Sequence, residues 1–413
     1  MKIRVIDSPC GTGKTEWAIR YMNENCENSR FIYVTPYLDE IKRVRENVSF
    51  DMQEPKDGSK SKDLEALIIK GSHIATTHAL FGKGNEELNV SIKSQGYEII
   101  LDEVMTVLQP LDLGAGDIEI LLKNNYISVA DDNVVSVTEE GWSIARKKVK
   151  YKKDFELISG GNVLFIGNCM MVWEFPASLL KSFKQISILT YLFKEQTMYN
   201  FLSINGAKFS FSYLENYELK DGIISYDGSK YKELVNIYNG KLNSVGEQYY
   251  SLSSSWYIKE GNHSSKKILE NNTHNYFKRI AKTVSNKALW TCKLRNEDCS
   301  KGKKIPMIKV NNYITSFLEM TARATNLYAD RDTCAYLVNR FENPVIYNYF
   351  KKHGLSVNDD VFALSELIQW LFRSAIRKNK PINLYIPSKR MRELLQSWLD
   401  GSFDEKYNNG GKQ

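Results

Sequence analysis

The chain has 413 residues, of which 42% are hydrophobic and 25% charged, with 24 Gly and 9 Pro. This balance excludes disordered, collagenous and low-complexity scaffolds and leads us to expect two or three domains, each with its own core. The net charge of +7 is compatible with nucleic acid without requiring it, and the 6 Cys and 5 His complete neither a CxxC nor a zinc pattern. Charge interrupts the first residues too soon for a signal segment, and the most apolar stretch, Val163 to Trp173, is far short of a bilayer span. The expectation is a soluble protein of a reducing compartment, the cytoplasm, with no membrane partner.

In chain order, Lys2–Asp7 is a β-rich run ending at a Gly-rich turn, and Lys14 to Met22 reads as a helix. Further strands are expected at Phe31–Val34, His73–Thr76, Tyr97–Leu101 and Ile186–Thr190, with a helix over Asp39 to Val48. Strands alternating with helical patterns imply a parallel sheet with crossover helices. The stretch from about Thr106 to Gly161 breaks the rhythm and reads as an insertion, with a hairpin over Asn125–Trp142 and a basic run from Arg146 to Lys153. The simplest reading of that run is a solvated linker. After Phe201 a second set of strands is expected: Phe209–Tyr213, Gln248–Leu252, Ala288–Cys292, Cys334–Val338 and Ile382–Ile386. Glu260 to Lys267 reads as a loop, Trp17, Trp370 and Trp398 as core, and the residues after Gly401 as a frayed tail. The fold class is therefore α/β in two halves, 1–200 and 201–413.

Three constellations carry chemistry. Ser8-Pro9-Cys10-Gly11-Thr12-Gly13-Lys14-Thr15 lies between a strand and a helix. Phosphate needs bare backbone N–H groups, which glycines let the chain present, and a helix N-terminus adds positive potential. Lys14 would reach the β and γ phosphates and the Thr15 hydroxyl would ligate Mg²⁺. Asp102 and Glu103 end an apolar strand, where Asp102 would hold Mg²⁺ and Glu103 would polarise the attacking water. Gln369, Arg373 and Arg377 are spaced by four in a helical pattern, so one face would offer charge to a transferring phosphoryl group.

With these motifs in place, the chain resembles a superfamily 2 helicase core of the kind found in bacteriophage genomes. Ser8–Thr15 resembles motif I, Thr35-Pro36-Tyr37 motif Ia, Ala75-Thr76-Thr77-His78 motif Ib or its neighbour, and Asp102-Glu103-Val104-Met105 motif II, the DExx box. Leu189-Thr190-Tyr191 resembles motif III, Thr321–Asn326 motif V, and Gln369–Arg377 motif VI, where Ile376 stands in the place of the second Arg and Arg377 follows it.

The resemblance implies two RecA-like domains (parallel sheets flanked by helices) in tandem, with an insertion in the first and ATP and Mg²⁺ in the cleft. It implies nucleotide contacts from Pro9, Cys10, Gly11, Thr12, Gly13, Lys14, Thr15 and Asp102, and catalysis by Glu103, Gln369, Arg373 and Arg377. Coupling falls to Thr190 and Arg323, and nucleic-acid contact to Pro36, Tyr37, Thr76, Thr77 and His78. The expected partner is nucleic acid, DNA with a single-stranded region, alongside other replication or recombination proteins. The function implied is an ATP-dependent translocase or helicase; the rival is a nucleotide-switched DNA-binding or partner-loading protein that does not unwind.

Overall fold

A computed structural model describes residues 1–413 apart from 10, 57, 83–87, 148–150, 168–169, 224–227, 297–303, 322–326 and 404–413. The chain divides into two units, Met1–Ile224 with Asn343–Val357, and Ser225–Glu342 with Asn358–Gln413. The first unit contains β1 (Lys2–Asp7), β2 (Arg30–Thr35), β3 (Met52–Gln53), β4 (His73–Thr77), β5 (Tyr97–Asp102), β6 (Leu108–Pro110), β7 (Ile127–Val129), β8 (Val135–Val137), β9 (Val163–Ile166), β10 (Met170–Glu174), β11 (Gln185–Thr190), β12 (Lys208–Glu215) and β13 (Glu218–Asp221).

Eight of these strands form one sheet in the order β13-β12-β1-β11-β5-β2-β4-β3, parallel throughout except for β13. Its central strands are near-continuous apolar runs, as strands covered on both faces must be. Pleating sends alternate residues to opposite sides. Ile3, Val5, Ile32, Val34, Ile99, Leu101, Ile186 and Ile188 enter one core. Ile6, Phe31, Tyr33, Ile100 and Leu189 enter the other. The helix Lys14–Asn25 after β1 packs Trp17, Ala18 and Met22 into the second core. The helix Thr197–Ile204 after β11 packs Met198, Phe201 and Leu202 into the first. Adjacent strands β1 and β11 thus send their helices to opposite faces, the arrangement that in open α/β sheets marks the carboxyl ends as the place for a ligand.

The insertion between β5 and β11 has its own sheet, ordered β6-β10-β9, and the expected hairpin, β7–β8. Leu111, Ile118, Phe155, Val163 and Met171 form its core. It extends beyond the expected limit near Gly161, because the apolar stretch after Val163 pairs with β6, Val172 opposite Pro110, instead of joining the main sheet. Residues 148–150 of the basic run lie outside the described residues. The segment Asn343–Val357 also belongs to this unit: its helix Pro344–Lys352 adds Ile346, Tyr349 and Phe350 to the first core, and Tyr349 Oη donates to Glu174 Oε2 at 2.9 Å. The strand expected at Phe209–Tyr213 lies in β12, which pairs with β1 and so belongs to the first sheet.

The second unit contains β14 (Val235–Ile237), β15 (Ala288–Thr291), β16 (Leu294–Asn296), β17 (Lys304–Pro306), β18 (Thr333–Tyr336) and β19 (Ile382–Tyr385). A parallel four-stranded sheet runs β14-β19-β18-β15, over a core that includes Tyr257, Tyr276, Phe277, Trp290 and Tyr385. Three expectations are corrected here. Gln248–Leu252 is a set of turns, not a strand: Tyr249 and Tyr250 are both exposed, so the run lacks the alternation a half-buried strand needs, and Val235-Asn236-Ile237 supplies the edge strand. Of the loop expected over Glu260 to Lys267, only the first residues are a turn; the helix His263–Asn275 begins directly after Asn262 and is anchored by buried Leu269 and Thr273. The helix carrying Gln369 ends at Leu371, so Arg373 falls in a turn and Arg377 in the short 3₁₀ helix Ala375–Lys378. Trp17, Trp370 and Trp398 are buried, as expected.

Candidate active site

The carboxyl edge of the first sheet aligns three strand ends. Asp7 pairs with Thr190 and Leu189 with Asp102. The Ser8 N–H donates to Thr190 O at 2.9 Å and the Glu103 N–H to Leu189 O at 2.8 Å. The Gly-rich loop, the Thr190 hydroxyl and the two acids therefore share one edge, with Thr190 in the middle.

Within the loop, Gly11 (φ 86°) and Gly13 (φ 91°) hold the left-handed backbone that side chains disfavour, and Gly13 caps the helix Lys14–Asn25. That helix N-terminus presents free N–H groups. Lys14 is buried and its Nζ donates to Ser8 O (2.6 Å) and Pro9 O (3.1 Å), while Thr12 Oγ1 donates to Pro9 O (2.9 Å). The ammonium is held inside the loop by carbonyls alone in these contacts, which an anion would outbid. Ser8, where the general phosphate-loop pattern has Gly, uses its hydroxyl to accept the Leu214 N–H of β12 at 2.7 Å. Cys10 lies outside the described residues.

Asp102 and Glu103 are 6% and 7% exposed. Tyr33 Oη donates to Asp102 Oδ2 at 2.7 Å, so a phenol on the neighbouring strand holds one of the candidate metal ligands in place. Burial, and then the neighbouring Glu103 charge, push the Asp102 carboxyl up to about 7, against the Tyr33 hydrogen bond that lowers it. A buried carboxylate so reluctant to ionise is suited to a cation. The donor set, one hydroxyl and one carboxylate, fits Mg²⁺, which keeps waters and takes its remaining ligands from phosphates. Among the described residues no group of three or more His, Cys, Asp or Glu forms a protein-only cage.

Glu103 adopts φ 69°, a strained conformation for a residue other than Gly, Asn or Asp. Thr190 Oγ1 donates to Glu103 Oε2 (3.3 Å) and accepts from Gln196 Nε2 (3.3 Å), which also donates to Tyr191 O (2.8 Å). Asp7 accepts the Leu192 and Phe193 N–H groups (2.8 and 3.0 Å) and so fixes the turn after β11, where Leu192 is itself left-handed at φ 59°. Tyr33, Gln196 and Asp7 escaped the sequence reading. For Tyr33 and Asp7 the available signal was a polar group inside or ending an apolar strand, which is common; Gln196, in the turn before the helix Thr197–Ile204, gave none.

The residues expected to touch nucleic acid follow two neighbouring strands at the same edge, with Val34 opposite Thr76 and Thr35 opposite Thr77. Pro36 and Tyr37 are partly exposed, whereas Thr76 is 1% exposed. Thr77 Oγ1 accepts the Leu80 N–H at 3.2 Å and caps the short helix that His78 opens. A cavity of about 200 Å³ beside them is lined by Leu38, Ile41, Pro55, Lys60, Thr76 and Thr77 among others.

In the second unit, Arg373 is 2% exposed and Gln369 8%, and Arg373 Nε and Gln369 Nε2 have no hydrogen-bond partner among the described residues. Arg377 is partly exposed. Arg323 lies outside the described residues.

Fold and site define a tandem α/β protein of RecA-like build whose first sheet ends in an edge that joins a Gly-rich loop to a buried acidic pair. Residues 229–399 match the family described as the YonV C-terminal Rossmann-like domain. The chain is 36% identical to the SPbeta prophage-derived uncharacterized protein YonV of Bacillus subtilis (strain 168) over 418 residues, 97% of this chain and 99% of that one. The chain belongs to the YonV family. Its fold is similar to an apo XPD structure (TM-score 0.50, 12% identity, 95% of each chain covered). A lesser likeness is to an XPD helicase structure (TM-score 0.47, 12% identity, 95% of this chain and 94% of that one). Among the described residues no helix is long and apolar enough to cross a membrane.

Proposed function

We propose that the protein is an ATP-dependent nucleic-acid translocase of the helicase type, acting on DNA with a single-stranded region in the cytoplasm of a host cell. Phage replication or recombination is the setting we assign to it, and a prophage-derived relative supports the phage link alone. The observation that carries the reading is the zipped edge, where the phosphate loop, Thr190 and the Asp102–Glu103 pair are joined through adjacent strands. The XPD-like fold supports it.

In this reading the loop N–H groups bind the phosphates, and Lys14 exchanges the Ser8 and Pro9 carbonyls for β and γ oxygens. Thr15 and Asp102 would hold Mg²⁺, which supplies charge neutralisation on the phosphates. Glu103 takes the proton of the attacking water, positioned by Thr190, which Gln196 holds in turn. From the second unit, Arg373, with Gln369 and Arg377, is assigned the charge that builds on the transferring group. Thr190 and Arg323 would couple turnover to strand movement, and Pro36, Tyr37, Thr77 and His78 would meet the strand backbone.

The test is steady-state ATP hydrolysis without nucleic acid and with single-stranded, duplex and forked DNA and RNA, with Lys14→Ala as control. Strong, Lys14-dependent stimulation by single-stranded or forked DNA is expected. Lys14-dependent turnover that no nucleic acid changes would refute the motor, and turnover indifferent to Lys14 would refute the site.

A further inference from the structure

We infer that Tyr217 is the platform on which the base of the bound nucleotide stacks, an inference that rests on the nucleotide reading above. Strands β12 and β13 are joined by two residues, Asn216 and Tyr217, with φ 51° and 66°. Positive φ at both central positions is the type I′ hairpin turn, whose preferred pair is Asn-Gly. Here a tyrosine stands in the glycine position, strained in its backbone and 63% exposed as a residue. Neither property helps the hairpin fold.

The ring is nonetheless placed with care. It lies over Gly13 of the phosphate loop, so closely that a Cβ on Gly13 would stand 2.5 Å from Tyr217 Cδ1 and 2.8 Å from Cε1. Two bonds fix the hairpin to the loop and its helix: the Leu214 N–H to Ser8 Oγ at 2.7 Å, and Arg20 Nη2 to Tyr217 O at 3.2 Å. The sheet order then decides which end of a nucleotide meets the ring. Thr190 and the acids lie on the β11 and β5 side of β1, and β12 lies on the other. A triphosphate whose γ end reaches Glu103 must therefore leave the loop toward β12 with its α-phosphate, ribose and base. Tyr217 is the aromatic surface waiting there, beside a glycine that leaves room for it. Stacking reads ring area, so the platform takes purines in preference to pyrimidines.

The test is binding, measured by equilibrium dialysis of ATP, GTP, CTP and UTP and of inorganic tripolyphosphate. The proteins are the wild type, Tyr217→Asn, Tyr217→Phe and Lys14→Ala. Asparagine tolerates the left-handed backbone, so it removes the ring and keeps the turn. Tyr217→Asn is expected to weaken ATP roughly tenfold, the order that losing one base–aromatic stack predicts. It should also erase the purine preference and leave tripolyphosphate binding unchanged, while Tyr217→Phe retains wild-type affinity. Equal weakening of ATP and tripolyphosphate would show that the ring only supports the loop, and would overturn the inference. So would Lys14-dependent ATP binding that ignores Tyr217, which leaves the nucleotide site standing. A wild type that binds neither ligand would overturn both.

Discussion

Replacing Asp102 by Asn isolates the electrostatic cost of the site. The carboxyl is raised from 3.8 to about 7 by burial and by Glu103. A carboxylate raised in the folded state binds its proton more tightly there than when unfolded. Its contribution to stability is complete below pH 4 and is lost as pH rises toward 7. At 1.36 kcal/mol per pH unit, the ionised side chain costs the ligand-free protein at most about 4 kcal/mol. Asparagine keeps an oxygen to accept the Tyr33 hydroxyl and cannot ionise, so Asp102→Asn carries no such cost. In urea unfolding of the ligand-free protein, the stability of Asp102→Asn relative to wild type should rise by about 2–3 kcal/mol between pH 5 and pH 8. Adding Mg²⁺ and ATP at pH 8 should narrow or reverse the difference, because the wild type gains more binding energy than a variant that has lost a metal ligand. A difference that stays flat with pH, or moves the other way, would refute the account of Asp102 as a carboxylate kept uneasy for a cation.

Three further outcomes are expected. Glu103→Gln should hold nucleotide with near wild-type affinity and lose at least about a hundredfold in turnover, the usual worth of a general base; a variant that turns over normally assigns the base elsewhere. Arg373→Lys should slow hydrolysis by about a thousandfold with binding little changed, since an ammonium cannot reproduce the guanidinium fork, and single-turnover kinetics would separate the two effects. Ser8→Ala should cost about 1–3 kcal/mol in urea unfolding, because it leaves the buried Leu214 N–H without its acceptor; an unchanged midpoint would mean that another group takes over.

The sequence by itself determined the local chemistry. β1, the glycines and the helix start at Lys14 are set by neighbours in the chain, since apolar β-branched runs, left-handed glycines and helix periodicity are short-range properties. The acids at the end of β5 and the hydroxyl at the end of β11 were visible for the same reason. Tertiary structure decided what these pieces meet. That β11 lies between β1 and β5, and so places Thr190 against Glu103, is a matter of strand order, which no window of sequence contains. Tyr33 reaches Asp102 from a strand 69 residues away. Arg373 was read as helical from its spacing, but the helix stops at Leu371, and backbone bonds from Arg373 to Trp370 and from Ser374 to Leu371 turn the chain before the arginine. Tyr217 would pass in the sequence as an ordinary turn residue. Only the packing of β12 beside β1 brings it over Gly13, because the contacts that give a surface residue its role are made by parts of the chain that periodicity does not connect.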